Sequence, residues 1–141
     1  MLKGIPKELS PELLKILSEM GHGDEIVIAD GNFPAENLGR RVVRADGHGG
    51  IKMLDAILSV IPLDTYAEEN FILMQVVPGD NVKPTIWEDY RKTAKEKAPE
   101  VKEGQLERFS FYDRAKNAYA IVATGESAIY ANIILKKGVI K

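Results

Sequence analysis

The chain has 141 residues, of which 45% are hydrophobic and 28% are charged, and this suits one globular domain with a full hydrophobic core. Its net charge of -2 gives no electrostatic reason to bind nucleic acid or an anionic membrane, and no apolar run is long enough to span a membrane or to act as a signal peptide. The absence of cysteine excludes disulfides and thiol catalysis. We therefore expect a single domain over residues 1–141 of a cytoplasmic protein.

The first half of the chain alternates helical and strand patterns. Ser10, Pro11 and Glu12 are typical of a helix start, because serine caps the first turn, proline fits the first helical position and an acid complements the helix dipole. Leucines at helical spacing predict an amphipathic first helix that Gly21 ends in a left-handed conformation. The next segments are predicted as a buried strand, a loop, a short strand and a helix ended by proline: 25–30, 31–34, 41–45 and 51–61.

The second half continues this alternation. Residues 71–77 are almost all apolar and predict a strand buried on both faces. Residues 84–98 carry apolar side chains on one side and charges on the other, which predicts a third helix. The remaining segments are predicted as a short strand, a short helix and two strands: 106–109, 110–117, 119–124 and 130–135. Because helices alternate with apolar strands, we expect an α/β fold with helices on both faces of one sheet, a three-layer α/β/α sandwich.

A histidine and an acid stand at the two ends of the first predicted strand. His22 lies in the turn before the strand and can titrate near neutral pH. Asp30 ends the strand, where α/β proteins often bind their ligands. Each residue also has a structural interpretation, since His22 could cap the last carbonyls of the first helix and Asp30 could form a turn. The local pattern therefore leaves an acid–base site as one of two interpretations.

Other polar residues are equally open to two interpretations. Arg108 and Tyr112 lie four residues apart at a predicted strand-to-helix junction, where they could bind a ligand, or form a surface ion pair and pack against the core. His48 lies in a glycine-rich turn that lacks the preceding buried strand of a phosphate-binding loop. Neither histidine has a partner at the spacing of metal ligands. We therefore expect no metal and no nucleotide cofactor.

Several sequence blocks follow one another along nearly the whole chain in a recognisable order. The longest are MGHGDEIVIAD at 20–30, PLDTY at 62–66, ERFSFYDRAKNAYAIVATGE at 107–126 and YANIILKKGV at 130–139. Together these blocks resemble the fucose mutarotase family, the relatives of the ribose pyranases. The resemblance favours the fucose branch, because ribose-type relatives tend to have histidine at the position of Arg108 and lack the FSFYDRA-like block.

The resemblance implies a cofactor-free isomerase. Members of this family interconvert the α and β anomers of a free monosaccharide, chiefly L-fucose, and related members interconvert the pyranose and furanose forms of ribose. The fold that it implies is a compact α/β domain that often assembles into ring-like homo-oligomers, including decamers. Two alternatives to a fucose mutarotase remain at this point: a D-ribose pyranase, and a monosaccharide-binding module without turnover.

The resemblance also assigns roles to residues of this chain. His22 matches the active-site histidine of the family, and Tyr112 matches a proposed proton-donor tyrosine. The positions that match sugar-binding residues are Asp30, Asp64, Arg108, Tyr130, Ala131 and Asn132. Because anomer exchange removes one proton and delivers another, we expect His22 and Tyr112 to share this exchange. The chain departs from the family at His48 and Tyr119, and a sugar preference could shift if either side chain reached the site.

Overall fold

A six-stranded sheet forms the centre of the computed structural model, which describes residues 1–141. The strand order across the sheet is β2-β5-β1-β6-β3-β4. The elements in chain order are α1 (Pro11–Glu19), β1 (Glu25–Ala29), α2 (Ala35–Leu38), β2 (Val42–Ala45), α3 (Gly50–Leu58), β3 (Phe71–Met74), α4 (Ile86–Lys97), β4 (Glu103–Leu106), α5 (Arg108–Asn117), β5 (Ala120–Thr124) and β6 (Ile133–Lys136). No helix has both the length and the apolar character needed to cross a membrane.

Strand β6 alone runs against the direction of the other five strands. It pairs antiparallel with β1 on one side and with β3 on the other, whereas every other neighbouring pair is parallel. We call the edge of the sheet where the five parallel strands end the carboxyl edge, and the opposite edge the amino edge. The segment before β6 therefore lies at the carboxyl edge, beside the ends of β1 and β3.

Strand β1 is buried on both faces and divides the core in two. Successive side chains of a strand point to opposite faces of the sheet, so Ile26 and Ile28 join one cluster while Val27 and Ala29 join the other. The larger cluster includes buried residues of α1, α3 and α4, and the smaller includes those of α2 and α5. This arrangement confirms the predicted sandwich of one sheet between two helical layers.

The first helix begins as predicted but ends differently. The Leu13 N–H donates to Ser10 Oγ at 3.1 Å, which makes Ser10 the N-cap. Gly21 does not adopt a left-handed conformation, and the positive φ of this turn belongs to Gly23 at 86°. The Lys137 ammonium donates to the carbonyls of Leu17 and Met20 at the end of the helix. The helix therefore needs no left-handed glycine, because a distant lysine satisfies its last carbonyls.

The strand predicted at 106–109 is displaced in the structure. Strand β4 covers Glu103–Leu106, a mostly polar edge strand that has no long apolar run to identify it. The Glu107 carboxylate accepts hydrogen bonds from the N–H groups of Phe109 at 2.8 Å and Ser110 at 3.1 Å. Glu107 is therefore the N-cap of α5, and the helix begins at Arg108, two residues earlier than predicted.

Two predicted strands are also shorter than expected. Strand β3 ends at Met74, three residues before the apolar run ends. Strand β6 begins at Ile133 because Tyr130 has a φ of 58°, a left-handed backbone that cannot continue a strand. The short helix α2 follows the predicted loop at 31–34 and has no counterpart among the predicted elements. Both shortened ends lie at the carboxyl edge, where the chain turns to form loops.

Gly125→Ala should lower the free energy of unfolding by about 1–3 kcal/mol, because a Cβ at this position would overlap the carbonyl oxygen of Asp46. The Gly125 N–H also donates to the His48 carbonyl at 2.9 Å, so the loop cannot retreat without losing this bond. Urea denaturation measures the change. Gly47→Ala is the matched control, since nothing lies within 4 Å of a Cβ there. Equal stability of the two variants would contradict the close approach.

Candidate functional site

A cavity of about 230 Å³ opens at the carboxyl edge of the sheet. Its polar lining comes from four segments that meet at this edge: Asp30, Asn32, Asp80, Arg108, Tyr112, Tyr130 and Asn132. Its apolar lining comprises Phe33, Met74, Val77 and Ile129. The structure therefore brings together five of the residues singled out from the sequence, namely Asp30, Arg108, Tyr112, Tyr130 and Asn132. Such a mixture of apolar walls and a few convergent polar groups is typical of a small-molecule site.

Asp30 is buried at the end of β1 and held by its neighbours. Its Oδ1 accepts a hydrogen bond from the Asn32 N–H at 3.0 Å, and its Oδ2 accepts one from the Ala131 N–H at 3.2 Å. Burial raises the pKa of Asp30, and these hydrogen bonds to the backbone oppose that rise. The carboxylate thus has a fixed orientation at the cavity.

Asn132, the residue directly before β6, completes this arrangement. Its Oδ1 accepts a hydrogen bond from the Asp30 N–H at 2.8 Å. This hydrogen bond orients the amide, so that its nitrogen can donate to a ligand. Ala131 does not line the cavity with its side chain, and it contributes through its N–H to the Asp30 carboxylate.

Arg108 and Tyr112 lie on the first two turns of α5 and face the same cavity. They are four residues apart on a helix, and Arg108 Nε donates to the Tyr112 hydroxyl at 3.2 Å. No carboxylate lies within 4.0 Å of the Arg108 guanidinium, so the interpretation as a surface ion pair is wrong. Phe33 packs edge-on against the Tyr112 ring at 5.3 Å between centroids. Tyr112 therefore both packs against the core and presents its hydroxyl to the cavity.

Tyr130 and Asp80 form the rim of the cavity. The Tyr130 hydroxyl donates to Asp80 Oδ2 at 2.6 Å, and Trp87 Nε1 donates to the Tyr130 carbonyl at 2.8 Å. The buried Tyr90 hydroxyl donates to the carbonyl of Ala131 at 3.1 Å. Asp80 was not expected at the site from the sequence. Its position in the turn directly after β3 is the signal that could have identified it, because loops after parallel strands meet at one edge.

His22 and Asp64 lie together at the amino edge. His22 Nε2 is 3.0 Å from Asp64 Oδ1, and the Tyr66 N–H donates to the same oxygen at 3.0 Å. Burial of Asp64 raises its pKa, but the hydrogen bonds from His22 and Tyr66 outweigh burial and hold this pKa below its ordinary value. His22 therefore pairs with a carboxylate and does not cap the first helix, so that structural interpretation is wrong.

The amino edge is too far from the cavity for His22 and Asp30 to meet within one chain. The five residues of β1 separate the two positions, which is about 17 Å along an extended strand. His48 and Tyr119 also lie outside the cavity lining. The Tyr119 hydroxyl donates to Glu19 at 3.3 Å, and the Arg41 guanidinium lies 4.0 Å from the centre of its ring.

Comparison with known proteins relates this chain to sugar mutarotases. Residues 3–140 match the model of the RbsD / FucU transport protein family. The chain is 51% identical to the L-fucose mutarotase of Actinobacillus pleuropneumoniae, with 99% of this chain and 97% of that protein covered. It is also 48% identical to the fucose mutarotase of Homo sapiens, with 99% of this chain and 94% of that protein covered.

Solved structures share the same fold. The crystal structure of the fucose mutarotase in complex with L-fucose from Streptococcus pneumoniae has a TM-score of 0.94 and 49% identity, and covers 99% of this chain and 100% of that chain. FucU from Bifidobacterium longum has a TM-score of 0.95, 58% identity and the same coverage. Bacillus subtilis RbsD complexed with D-ribose is more distant, with a TM-score of 0.73, 25% identity and full coverage of both chains. The chain therefore belongs to the RbsD / FucU family.

Proposed function

We propose that this chain is a mutarotase that interconverts the α and β anomers of free L-fucose. One observation carries the proposal: Asp30, Arg108 and Asn132 converge with Tyr112 on one cavity, in a chain 49% identical to a protein whose structure contains L-fucose. A sugar needs paired donors and acceptors to replace the water that it loses, and this cavity supplies both. Its apolar wall suits the methyl group of a 6-deoxy sugar.

The similarity favours fucose over ribose. Identity to the ribose-bound relative is 25%, about half of the identity to the fucose-bound one. Arg108 also lines the cavity at the position where the resemblance expects histidine in ribose-type relatives. A binding module without turnover is less well supported, since the relatives at about half identity are named as mutarotases.

Anomer exchange requires two proton transfers at one end of the sugar. The ring opens when a proton leaves the anomeric hydroxyl and another reaches the ring oxygen, and closure reverses both transfers. In our proposal the Tyr112 phenol is one of the two groups and Asp30 orients the sugar. The second group is the His22 imidazole, which its own chain holds at the opposite edge of the sheet. We therefore assign the His22 of this reaction to a second copy of the chain.

Two exposed apolar surfaces support such an assembly. Phe109 and Ile129 lie beside the cavity at the carboxyl edge, with 64% and 44% of their surfaces exposed. Tyr66 packs near His22 at the amino edge and is 68% exposed. Contact between two different surfaces is heterologous, and repeated heterologous contacts close into a ring when the rotation permits. The proposed ring brings the His22–Asp64 pair of one copy to the cavity of the next.

Asp64 fits the role of orienting His22 in this assembly. An ionised carboxylate only accepts hydrogen bonds, so the hydrogen of the His22–Asp64 bond lies on Nε2. His22 Nδ1 is then free to accept a proton from the sugar. The decameric size of the ring and the cytoplasmic location expected from the sequence stay predictions.

His22→Ala and Tyr112→Phe should each slow anomer exchange about a hundred- to ten-thousand-fold, because each removes one of the two proton-transferring groups. Saturation-transfer NMR at the anomeric protons of L-fucose measures the rate, with D-ribose and D-galactose as comparison sugars. His48→Ala, a histidine outside the cavity lining, is the control and should keep the wild-type rate. Unchanged exchange in either variant would remove that residue from the mechanism.

Mixed rings test whether the site is shared. When His22→Ala and Tyr112→Phe chains are co-expressed and purified as mixed oligomers, about one quarter of the sites should combine an intact His22 with an intact Tyr112. Exchange should recover to about one quarter of the wild-type rate for a randomly mixed ring with heterologous contacts. Mixed oligomers no faster than the better single variant would show that both groups must come from one chain.

When the pH is lowered, the free energy of unfolding of the Asp64→Asn variant should fall less than that of wild type. The pKa of Asp64 is lower in the folded state, so its carboxylate stabilises the fold above the unfolded value of about 3.8, and this contribution is lost as the pH falls through the folded pKa. The variant keeps the oxygen that accepts from His22 but removes the charge. Urea denaturation at pH 7 and pH 3 measures the free energy of unfolding, and its decrease between the two pH values should be smaller in the variant than in wild type.

The control for this measurement is Glu68→Gln, which removes one exposed negative charge that makes no ion pair. It should keep the wild-type difference in stability between the two pH values. An identical drop in Asp64→Asn and wild type would mean that the His22–Asp64 pair does not stabilise the ionised carboxylate.

A further inference from the structure

Asp80 is the second carboxylate of the cavity, and its turn holds it in place. The Asp80 N–H donates to the Val77 carbonyl at 3.0 Å, and the Val82 N–H donates to Asp80 Oδ1 at 3.2 Å. Gly79 supplies the positive φ of 92° that this turn requires. Asp80 Oδ2 is thereby left to face Tyr130, whose hydroxyl donates to it at 2.6 Å. The orientation of the carboxylate is set before any ligand binds.

Tyr130 adopts a backbone conformation that other contacts must maintain. Its φ of 58° is left-handed, which is unfavourable for a residue with a Cβ, and it is the one such non-glycine residue in the chain. Trp87 Nε1 donates a hydrogen bond to the Tyr130 backbone carbonyl, and the Tyr130 side-chain hydroxyl donates one to Asp80. The next residue, Ala131, donates its N–H to the Asp30 carboxylate. Tyr130 therefore directly precedes the residue whose N–H holds the Asp30 carboxylate.

We propose that Asp80 is a positioning residue that locks Tyr130 across the mouth of the cavity and so keeps Ala131 and Asn132 in register with Asp30. This inference rests on the proposed function, because the locked segment is the one assigned to sugar binding. The hydrogen bond to Asp80 and partial burial both raise the pKa of Tyr130, which keeps the phenol protonated as the donor.

The hydrogen bond to Asp80 also limits which hydrogen bonds the Tyr130 hydroxyl can make with a sugar. Its hydrogen is committed to Asp80, and the Val77 N–H donates to its oxygen at 3.4 Å. The phenol oxygen has one remaining lone pair, so it can accept a hydrogen bond from a sugar hydroxyl but cannot donate one. Tyr130 therefore selects a ligand that places a hydroxyl donor at the rim, and this selection depends on Asp80.

A double-mutant cycle tests the lock through L-fucose affinity and turnover. Asp80→Ala and Tyr130→Phe should each weaken L-fucose binding about tenfold or more in calorimetric titration, because each breaks a charge-assisted hydrogen bond. The rate of exchange at saturating sugar should fall much less, since Tyr112 and His22 are untouched. The double variant should bind no more weakly than Tyr130→Phe alone, because both changes break the same lock.

Asn81→Ala is the matched control, an exposed neighbour in the same turn that makes no hydrogen bond with its side chain. It should bind L-fucose as wild type does. An equal loss from Asp80→Ala in the wild-type and Tyr130→Phe backgrounds would overturn the proposal, since Asp80 would then act independently of Tyr130. Unchanged affinity in Asp80→Ala would overturn it as well.

A measurement without sugar separates this inference from the proposed function. Amide hydrogen exchange at Ala131 should be faster in Asp80→Ala and in Tyr130→Phe, and no faster in the double variant. If wild type fails to accelerate the anomer exchange of L-fucose but Ala131 responds in this way, the lock stands and the assigned function fails. If L-fucose exchange is accelerated but Ala131 protection is unchanged in Asp80→Ala, the lock is refuted.

Discussion

The hydrogen-bonded enclosure of the Asp30 carboxylate is the constraint on which the rest of the site depends. It joins the end of β1 to the segment before β6, across about one hundred residues of sequence, through the Ala131 N–H and the Asn132 side chain. A buried carboxylate without a donor such as the Ala131 N–H would be costly to ionise, and the Asp30 N–H needs the Asn132 oxygen as its acceptor, so the two segments must meet in this register. The segment before β6 can make both hydrogen bonds because the strand enters the sheet from the carboxyl edge.

Strand β1 separates the two halves of the proposed chemistry, because His22 precedes it and Asp30 follows it, and the antiparallel β6 contributes to both edges. The end of β6 is at the amino edge. There the Lys137 ammonium donates hydrogen bonds to the last carbonyls of α1, just before the turn that contains His22. The start of β6 is at the carboxyl edge beside the cavity. In the assembly that we propose, the amino edge of one copy would meet the carboxyl edge of the next, so that both edges would contribute to one site.

Sequence patterns predicted elements well where local chemistry specified them. Ser10 and Pro11 placed the start of α1, and continuous apolar residues identified β1 and β3. Patterns failed where a tertiary contact took over: Lys137 replaced the left-handed glycine expected after α1, and β4 is a polar edge strand without a local signature. Five of the eleven residues that line the cavity were singled out from the sequence, and family resemblance gave them their roles. Asp80 was missed because a turn residue shows no sign of what its loop will face.

The sequence by itself determined the start of α1, the apolar strands, the α/β class and the kinds of polar group available for acid–base chemistry. These follow from side-chain period and from capping within a few residues. Only the tertiary structure decided that Asp30 meets Asn132, that His22 meets Asp64, and that these pairs lie at opposite edges of the sheet. Such pairings join residues 102 and 42 positions apart, and they depend on strand order and direction, which no local pattern encodes.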